Sequence, residues 1–221
     1  MKPSTRHNVR VFTAAVAVSA ACVAGLYAAE FGGFEAAYID YEPTEGDVVF
    51  QSLPRNAVVD AIEGVSGSPF SHCGIVARED GRWVVYEAFD GVERTPLREF
   101  LTRGRKRGFA VYRFVESEQE YVAETLANVR TYLGRPYDNR YRMDDAKIYC
   151  SELIFKAYRT AAGRPLGTTD RLGDLNWRPH ADVIRLLEGG PVPLDREMIT
   201  PKALAAAPQL KPAYAFAIVA E

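Results

Sequence analysis

Hydrophobic and polar positions divide the chain into three regimes. From Val11 to Ala29 nineteen residues pass without a charge, mostly Ala and Val, after a basic start of Lys2, Arg6 and Arg10; no acid occurs before Glu30. A basic start, an apolar run and small residues near its end make the layout of an export signal, and a run this long also spans a bilayer. The pattern predicts a signal peptide or N-terminal membrane anchor over residues 1–29. The second regime is a set of apolar stretches of strand length: Val48–Phe50, Ile75–Ala77, Val84–Phe89 and Phe109–Phe114. Asp80-Gly81 between two of them is a hairpin turn pair. The third is helical. Ser117 and Glu120 make a capping box, followed by Tyr121, Val122, Leu126, Val129, Tyr132 and Leu133 at helical spacing, with Gly134 and Pro136 as the stop. A second helix is expected from Cys150 to Ala162, apolar at Leu153, Ile154, Ala157, Tyr158 and Ala161 and ended by Gly163. Thr200-Pro201 opens a third, with Thr as N-cap and Pro at the first helical position.

The strands cluster as a meander and not as a βαβ series, so the fold class expected is α+β. Residues 30–43 read as a connector. No linker or repeat interrupts the chain after that, which predicts one domain over 44–221.

Composition changes this picture in two places. The 221 residues carry a net charge of −2, which gives no general drive toward nucleic acid. Without residues 1–29 the balance is 24 basic against 29 acidic, a net of −5. Three cysteines, with no CxxC pair and no Cys/His cluster, argue against structural zinc and against a disulfide scaffold. Neither a metal nor a cofactor is expected.

The cysteines matter as nucleophile candidates. Cys22 falls in the leader, where Ser19-Ala20-Ala21-Cys22 matches a lipoprotein cleavage box poorly, and Cys73 falls within a strand. Cys150 sits at a helix start, where unpaired N–H groups and the helix dipole favour a thiolate and can hold an oxyanion. From position alone it is either such a nucleophile or a core cysteine. A thiol needs a base. His7 lies in the leader, and His180 follows Arg178-Pro179 in a surface or capping position. His72 begins a strand. A two-residue loop at Asp80-Gly81 pairs Glu79 with Arg82, so Gly74 faces Glu87 and His72 becomes a diagonal neighbour of Glu87 on one sheet face, with Cβ atoms roughly 7 Å apart. Gly74 leaves room for Glu87 to lean toward the imidazole. A carboxylate there can hold one ring nitrogen and leave the other for a thiol.

Several ordered motifs then carry a resemblance. Gly46-Asp47-Val48-Val49-Phe50, Ser71-His72-Cys73-Gly74-Ile75-Val76 and Tyr86-Glu87-Ala88 resemble the second half of the NlpC-type papain-like cell-wall peptidases. Leu133-Gly134-Arg135-Pro136-Tyr137 and Tyr149-Cys150-Ser151-Glu152-Leu153 resemble their first half. The order His, Glu, Cys is reversed from that family and is similar to the permuted papain-like group typified by YiiX and YaeF, itself distantly related to lecithin–retinol acyltransferase-type enzymes. The resemblance covers about residues 44–212, including Thr95-Pro96-Leu97 and the stretch from Thr200 to Leu210. It implies a circularly permuted papain-like fold, an antiparallel sheet packed against helices with the nucleophile at a helix N-terminus. It implies Cys150 as nucleophile, His72 as base and acid, and Glu87 as the orienting third residue where many NlpC-type peptidases have His, Asn or Gln. Tyr137, Tyr149 and Ser151 fall in the expected substrate and oxyanion region, Tyr137 equally as a packed aromatic.

The function expected is an exported thiol hydrolase, periplasmic or in the cell envelope, cleaving amide bonds in peptides or cell-wall peptides. One alternative is a lipid ester or amide hydrolase or acyltransferase with the same triad; another is an inactive envelope binding module. An apolar groove beside Cys150 points to lipid, and a polar cleft with convergent charges points to peptide. Membrane association is expected only through residues 11–29, and no nucleic-acid partner is expected. Arg103, Arg105, Lys106 and Arg107 read as a solvated turn, with a site for anionic head groups or a substrate carboxylate as the sharper alternative. Trp177 reads as lid or core, Asp47 as a turn residue, and Asp144-Asp145 as an unsupported cation site.

Overall fold

The structure, a computed structural model, describes residues 33–218. The readings made for residues 1–29, with Cys22 and His7, lie outside the described residues. The chain divides into two compact units, Met1–Tyr41 and Glu42–Glu221. In the first, residues 33–40 form helix α1. The second holds the sheet and the remaining helices.

Its frame is a six-stranded sheet in the order β4-β3-β2-β1-β5-β8, every neighbouring pair antiparallel. The strands are β1 Val48–Gln51, β2 His72–Glu79, β3 Arg82–Ala88, β4 Val92–Pro96, β5 Phe109–Phe114 and β8 Leu210–Phe216. The first four in space make a continuous meander. The β2–β3 turn has Asp80 at φ 48° and Gly81 at φ 77°, the two left-handed positions that a tight hairpin requires. Its register pairs Glu79 with Arg82 and Gly74 with Glu87.

Alternation gives the sheet two unlike faces. Val48, Phe50, Cys73, Ile75, Tyr86 and Tyr112 form the main core with helices α4 Val122–Thr131 and α5 Cys150–Ala162. The opposite face carries His72, Gly74, Val85 and Glu87 and is covered by α3 Leu97–Arg103, whose Phe100 is fully buried. At Gly74 a Cβ would lie 2.3 Å from a Val85 methyl and 3.1 Å from the Phe100 ring. Val85 and Phe100 close over this glycine, while Glu87 reaches the imidazole of His72 at 2.6 Å.

Three more helices and a small ladder flank the sheet. Helix α2, Ala57–Ser66, starts where Asn56 Oδ1 accepts the N–H groups of Val58 and Val59, both at 2.9 Å, and ends at Gly67 in the left-handed region. Helix α6, Ala181–Glu188, follows a 3-10 turn at Arg178–His180. Helix α7, Pro201–Ala205, is capped by Thr200 as expected, its Oγ1 accepting the Ala203 N–H at 3.0 Å. Strands β6 Asp170–Arg171 and β7 Glu197–Met198 pair beside it.

Several expectations are corrected. The capping box at Ser117 and Glu120 does not form: Glu116–Tyr121 is a 3-10 turn and α4 starts at Val122 without a side-chain cap. Glu118 decides this, because its carboxylate is drawn inward to the Tyr158 hydroxyl and to Arg164 at 2.7 Å. His180 makes no capping bond; its ring instead lies against Gly64, where a Cβ would sit 2.0 Å from Nε2. Asp144 and Asp145 are spent within the protein, Oδ1 of the first on the Ala146 N–H and Oδ1 of the second on Lys156 at 2.7 Å. Asp47 is a turn residue as expected, accepting the Thr44 N–H at 2.9 Å, and is also held by Arg113 at 2.7 Å.

Candidate active site

The site is assembled where β2 begins against the N-terminus of α5. Helix α5 is enclosed from Cys150 through Tyr158, so its polar side chains need internal partners. Glu152 Oε2 accepts the Tyr149 N–H at 3.1 Å, closing the first turn, and Lys156 lies 2.8 Å from Glu152 Oε1 one turn on. Ser151 Oγ donates to the Ile199 carbonyl at 2.7 Å, and the Tyr149 hydroxyl accepts the Ile199 N–H at 3.0 Å. Tyr149 and Ser151 are thus committed to fixing the helix start against the segment before α7. What remains for chemistry at this end is the Cys150 thiol and the unpaired N–H groups of the first turn.

His72 Nε2 lies 2.6 Å from Glu87 Oε2, both residues buried. That leaves Nδ1 uncommitted to Glu87, and Cys150 lies near enough to raise the same imidazole's hold on its proton. Glu87 is held from three sides. Besides His72, Arg103 donates to Oε2 at 2.6 Å and the Thr95 hydroxyl donates to Oε1 at 2.5 Å. Phe89 and Phe100 flank the imidazole at 5.6 and 5.5 Å between ring centroids, and the Arg103 guanidinium sits 4.1 Å over Phe89. Gln51, the cross-strand partner of His72, donates to the Phe100 carbonyl at 2.9 Å and ties α3 to the sheet.

These contacts set the protonation states. Burial presses the His72 imidazole down, but Cys150 and Glu87 outweigh it and lift it to about 9. The contact with Cys73 draws the Cys150 thiol down, burial opposes it, and His72 adds to the fall, leaving Cys150 well below the ordinary thiol range. Burial pushes the neighbouring Cys73 thiol up. Burial also acts to raise Glu87, yet His72, Arg103 and Thr95 hold it at about 2. These directions favour a thiolate at Cys150 beside a protonated His72, with Glu87 ionised.

An apolar cleft reaches Cys150 and is also lined by Tyr149 and Ser151. Its walls are apolar side chains of α2 and α6 together with Tyr141, Leu172 and Met198. Tyr137 is not part of that lining and packs edge-on to Tyr141 at 6.3 Å between ring centroids.

Two partners of Glu87 were not anticipated. Thr95 had a signal: the β3–β4 register pairs Glu87 with Glu93 and Val85 with Thr95, which makes Thr95 diagonal to Glu87 just as His72 is on the other side. Arg103 had none, because nothing local says that α3 turns its last residue inward. The solvated-turn reading of 103–107 is corrected for Arg103 and also for Arg105, which pairs with Glu63 at 2.5 Å. Among the described residues no group of three or more His, Cys, Asp or Glu is placed to hold a metal ion.

Comparison with known proteins shows the family. Over 177 residues the chain is 31% identical to the protein named "Uncharacterized protein YiiX" of Escherichia coli K12, covering 77% of this chain and 85% of that one. The crystal structure titled as metalloprotein yiiX from Escherichia coli O157:H7 superimposes with a TM-score of 0.70 at 27% identity, covering 79% of this chain and 98% of that one. A family model described as permuted papain-like amidase enzyme, YaeF/YiiX, C92 family, matches residues 42–214. The chain belongs to this family of permuted papain-like amidases and is a cysteine hydrolase of the α+β class.

Proposed function

We propose that the protein hydrolyses amide bonds through Cys150, His72 and Glu87. The observation that carries this reading is the buried contact of 2.6 Å between His72 and Glu87, with Cys150 acting on the same imidazole. The Cys150 thiolate attacks the substrate carbonyl and forms an S–C bond. First-turn N–H groups of α5 stabilise the oxyanion. The C–N bond breaks as the His72 imidazolium gives its proton to the leaving nitrogen, which departs as an amine. His72, now neutral, takes a proton from water; the hydroxide adds to the thioester, the S–C bond breaks, and a carboxylic acid leaves. Glu87 holds the ring throughout and does not itself transfer a proton.

The neighbouring structure is titled a metalloprotein, but the donor set around Cys150 offers no such cluster here, so no step is routed through a metal. The uncharged run after three basic residues supports placing the enzyme beyond the inner membrane, as an exported or anchored envelope protein.

Labelling with iodoacetamide tests the reading. Cys150 is expected to react at neutral pH and Cys73 not to, and Cys150→Ala is expected to lose both labelling and turnover of a peptide-amide panel. Unreactive Cys150 in folded protein overturns it.

A further inference from the structure

We infer that Cys73 is a resolving thiol for Cys150: on oxidation by a peroxide the two join in a reversible disulfide that shuts the site and shields its nucleophile. The inference rests on the thiol-hydrolase reading above, because it needs Cys150 as the reactive thiol. It adds a modification site that hydrolysis does not use.

The fold directs both thiols to one place. Cys73 follows His72 at the start of β2, and alternation turns its side chain away from the imidazole face and into the core that α5 packs against. Cys150 opens α5 and belongs to the same core. Cα atoms of β2 and α5 come within 8 Å of one another. Both cysteines are free and buried. Among the side chains that act on the Cys150 thiol, Cys73 is foremost and His72 comes after it, and the Cys73 backbone adds to the effect. The influence is mutual: burial first, and then Cys150, keeps the proton on Cys73.

The two thiols differ in the way such a pair requires. The open cleft reaches Cys150 and not Cys73. Hydrogen peroxide, hardly larger than water, therefore meets Cys150 first. It also meets the more reactive sulfur, since Cys150 is held low while burial keeps Cys73 a thiol. The Cys150 thiolate attacks a peroxide oxygen. An S–O bond forms, the O–O bond breaks, and the sulfur gives up two electrons; the released hydroxide takes the His72 proton and leaves as water. Cys73 Sγ then attacks the sulfenic sulfur. The S–S bond forms, the S–O bond breaks, and the hydroxyl departs as water with the Cys73 proton. Two thiols and one hydrogen peroxide thus give a disulfide and two waters. With no thiol beside it, the sulfenic acid meets further peroxide and passes to sulfinic acid, which thiols do not reduce.

Non-reducing peptide mapping of the full chain tests the pair. Reduced wild-type protein is exposed to hydrogen peroxide, quenched with catalase and digested. A linked peptide joining Cys73 to Cys150, lighter by two hydrogens than its parts, is expected in the mass spectrum. Iodoacetamide labelling of Cys150 is expected to vanish and to return to about nine-tenths of its starting level with dithiothreitol. In Cys73→Ala labelling is expected to vanish as well but to return to less than about one-fifth, with Cys150 heavier by two oxygens. Cys73→Ser repeats this if the alanine variant does not fold. Each chain is referred to its own labelling before peroxide, so a change in the resting thiolate does not enter the comparison. No linked peptide in the oxidised wild type, or recovery in the Cys73 variants as complete as in the wild type, overturns the resolving role. Labelling of the reduced wild type reports the triad separately. Ready labelling without a linked peptide sinks the disulfide alone, and a Cys150 that stays unlabelled in reduced protein sinks the thiol-hydrolase reading itself.

Discussion

A thiolate and an imidazolium that face each other titrate as a pair, and at the scale of single residues this pair decides the pH behaviour. With Cys150 held below the thiol range and His72 lifted to about 9, the reactive form persists through neutrality and is lost on the alkaline side as His72 gives up its proton. The expected kcat/KM profile therefore falls with an apparent pKa near 9. Glu87→Gln removes a carboxylate that raises His72, so the alkaline limb is expected to move to lower pH and the rate at neutrality to drop about a hundredfold or more. Alkylation rates measured against pH check both. In His72→Ala the Cys150 labelling rate is expected to climb with pH as for an ordinary thiol. Much of this was legible beforehand. Cys150 carried its position at a helix start, and loop parity joined His72 to Glu87 across fifteen residues. Arg103 was illegible because its role depends on where a whole helix lies and not on its neighbours in sequence.

Elements decide how firmly those residues are held. Helix α3 lies over the His72 face only because Gly74 has no side chain. Gly74→Ala places a Cβ 2.3 Å from Val85 and 3.0 Å from the Tyr86 carbonyl, contacts that must be relieved by moving strand or helix. A destabilisation of about 1–3 kcal/mol is expected from the urea midpoint, with turnover falling because Phe100 and Arg103 shift with α3. The strands that were legible were the buried β-branched and aromatic runs. Strand β8 was not, since Lys211 and Pro212 interrupt its pattern and most of it is exposed, as an edge strand allows. Helix α2 was legible in principle from Asn56 followed by Val58, Ala61, Ile62 and Val65, whereas α4 misled because a local capping box lost to the burial of Glu118.

Across the whole unit, α5 is the member on which stability and function meet. It carries Cys150 at its start and a buried Glu152–Lys156 pair one turn in. Burial lifts Glu152 to about 7 from an ordinary 4.5, against the pull of Lys156 and the Tyr149 N–H. Between those values the folded chain keeps a proton that the unfolded chain has lost. This contribution is complete below about 4.5 and is lost as pH rises through about 7. Glu152→Gln is expected to flatten that dependence, narrowing the difference in Tm between pH 5 and pH 8 by a few degrees in thermal melts.

On the proposed mechanism, the grip of Arg103 on Glu87 is expected to govern the second half of the catalytic cycle as well. Before reaction, thiolate, imidazolium, carboxylate and guanidinium form an alternating row whose charges cancel. Acylation consumes the thiolate, and departure of the amine takes the imidazolium proton, so the two surviving charges, Glu87 and Arg103, still cancel. Nothing in the thioester state then pulls a proton back onto His72, and the ring is left neutral when water must be activated. In Arg103→Met the carboxylate stands uncompensated and keeps the imidazole protonated. The expected signature is a rapid first release of amine followed by slow turnover, with the thioester accumulating in mass spectra at neutral pH and disappearing as the pH is raised.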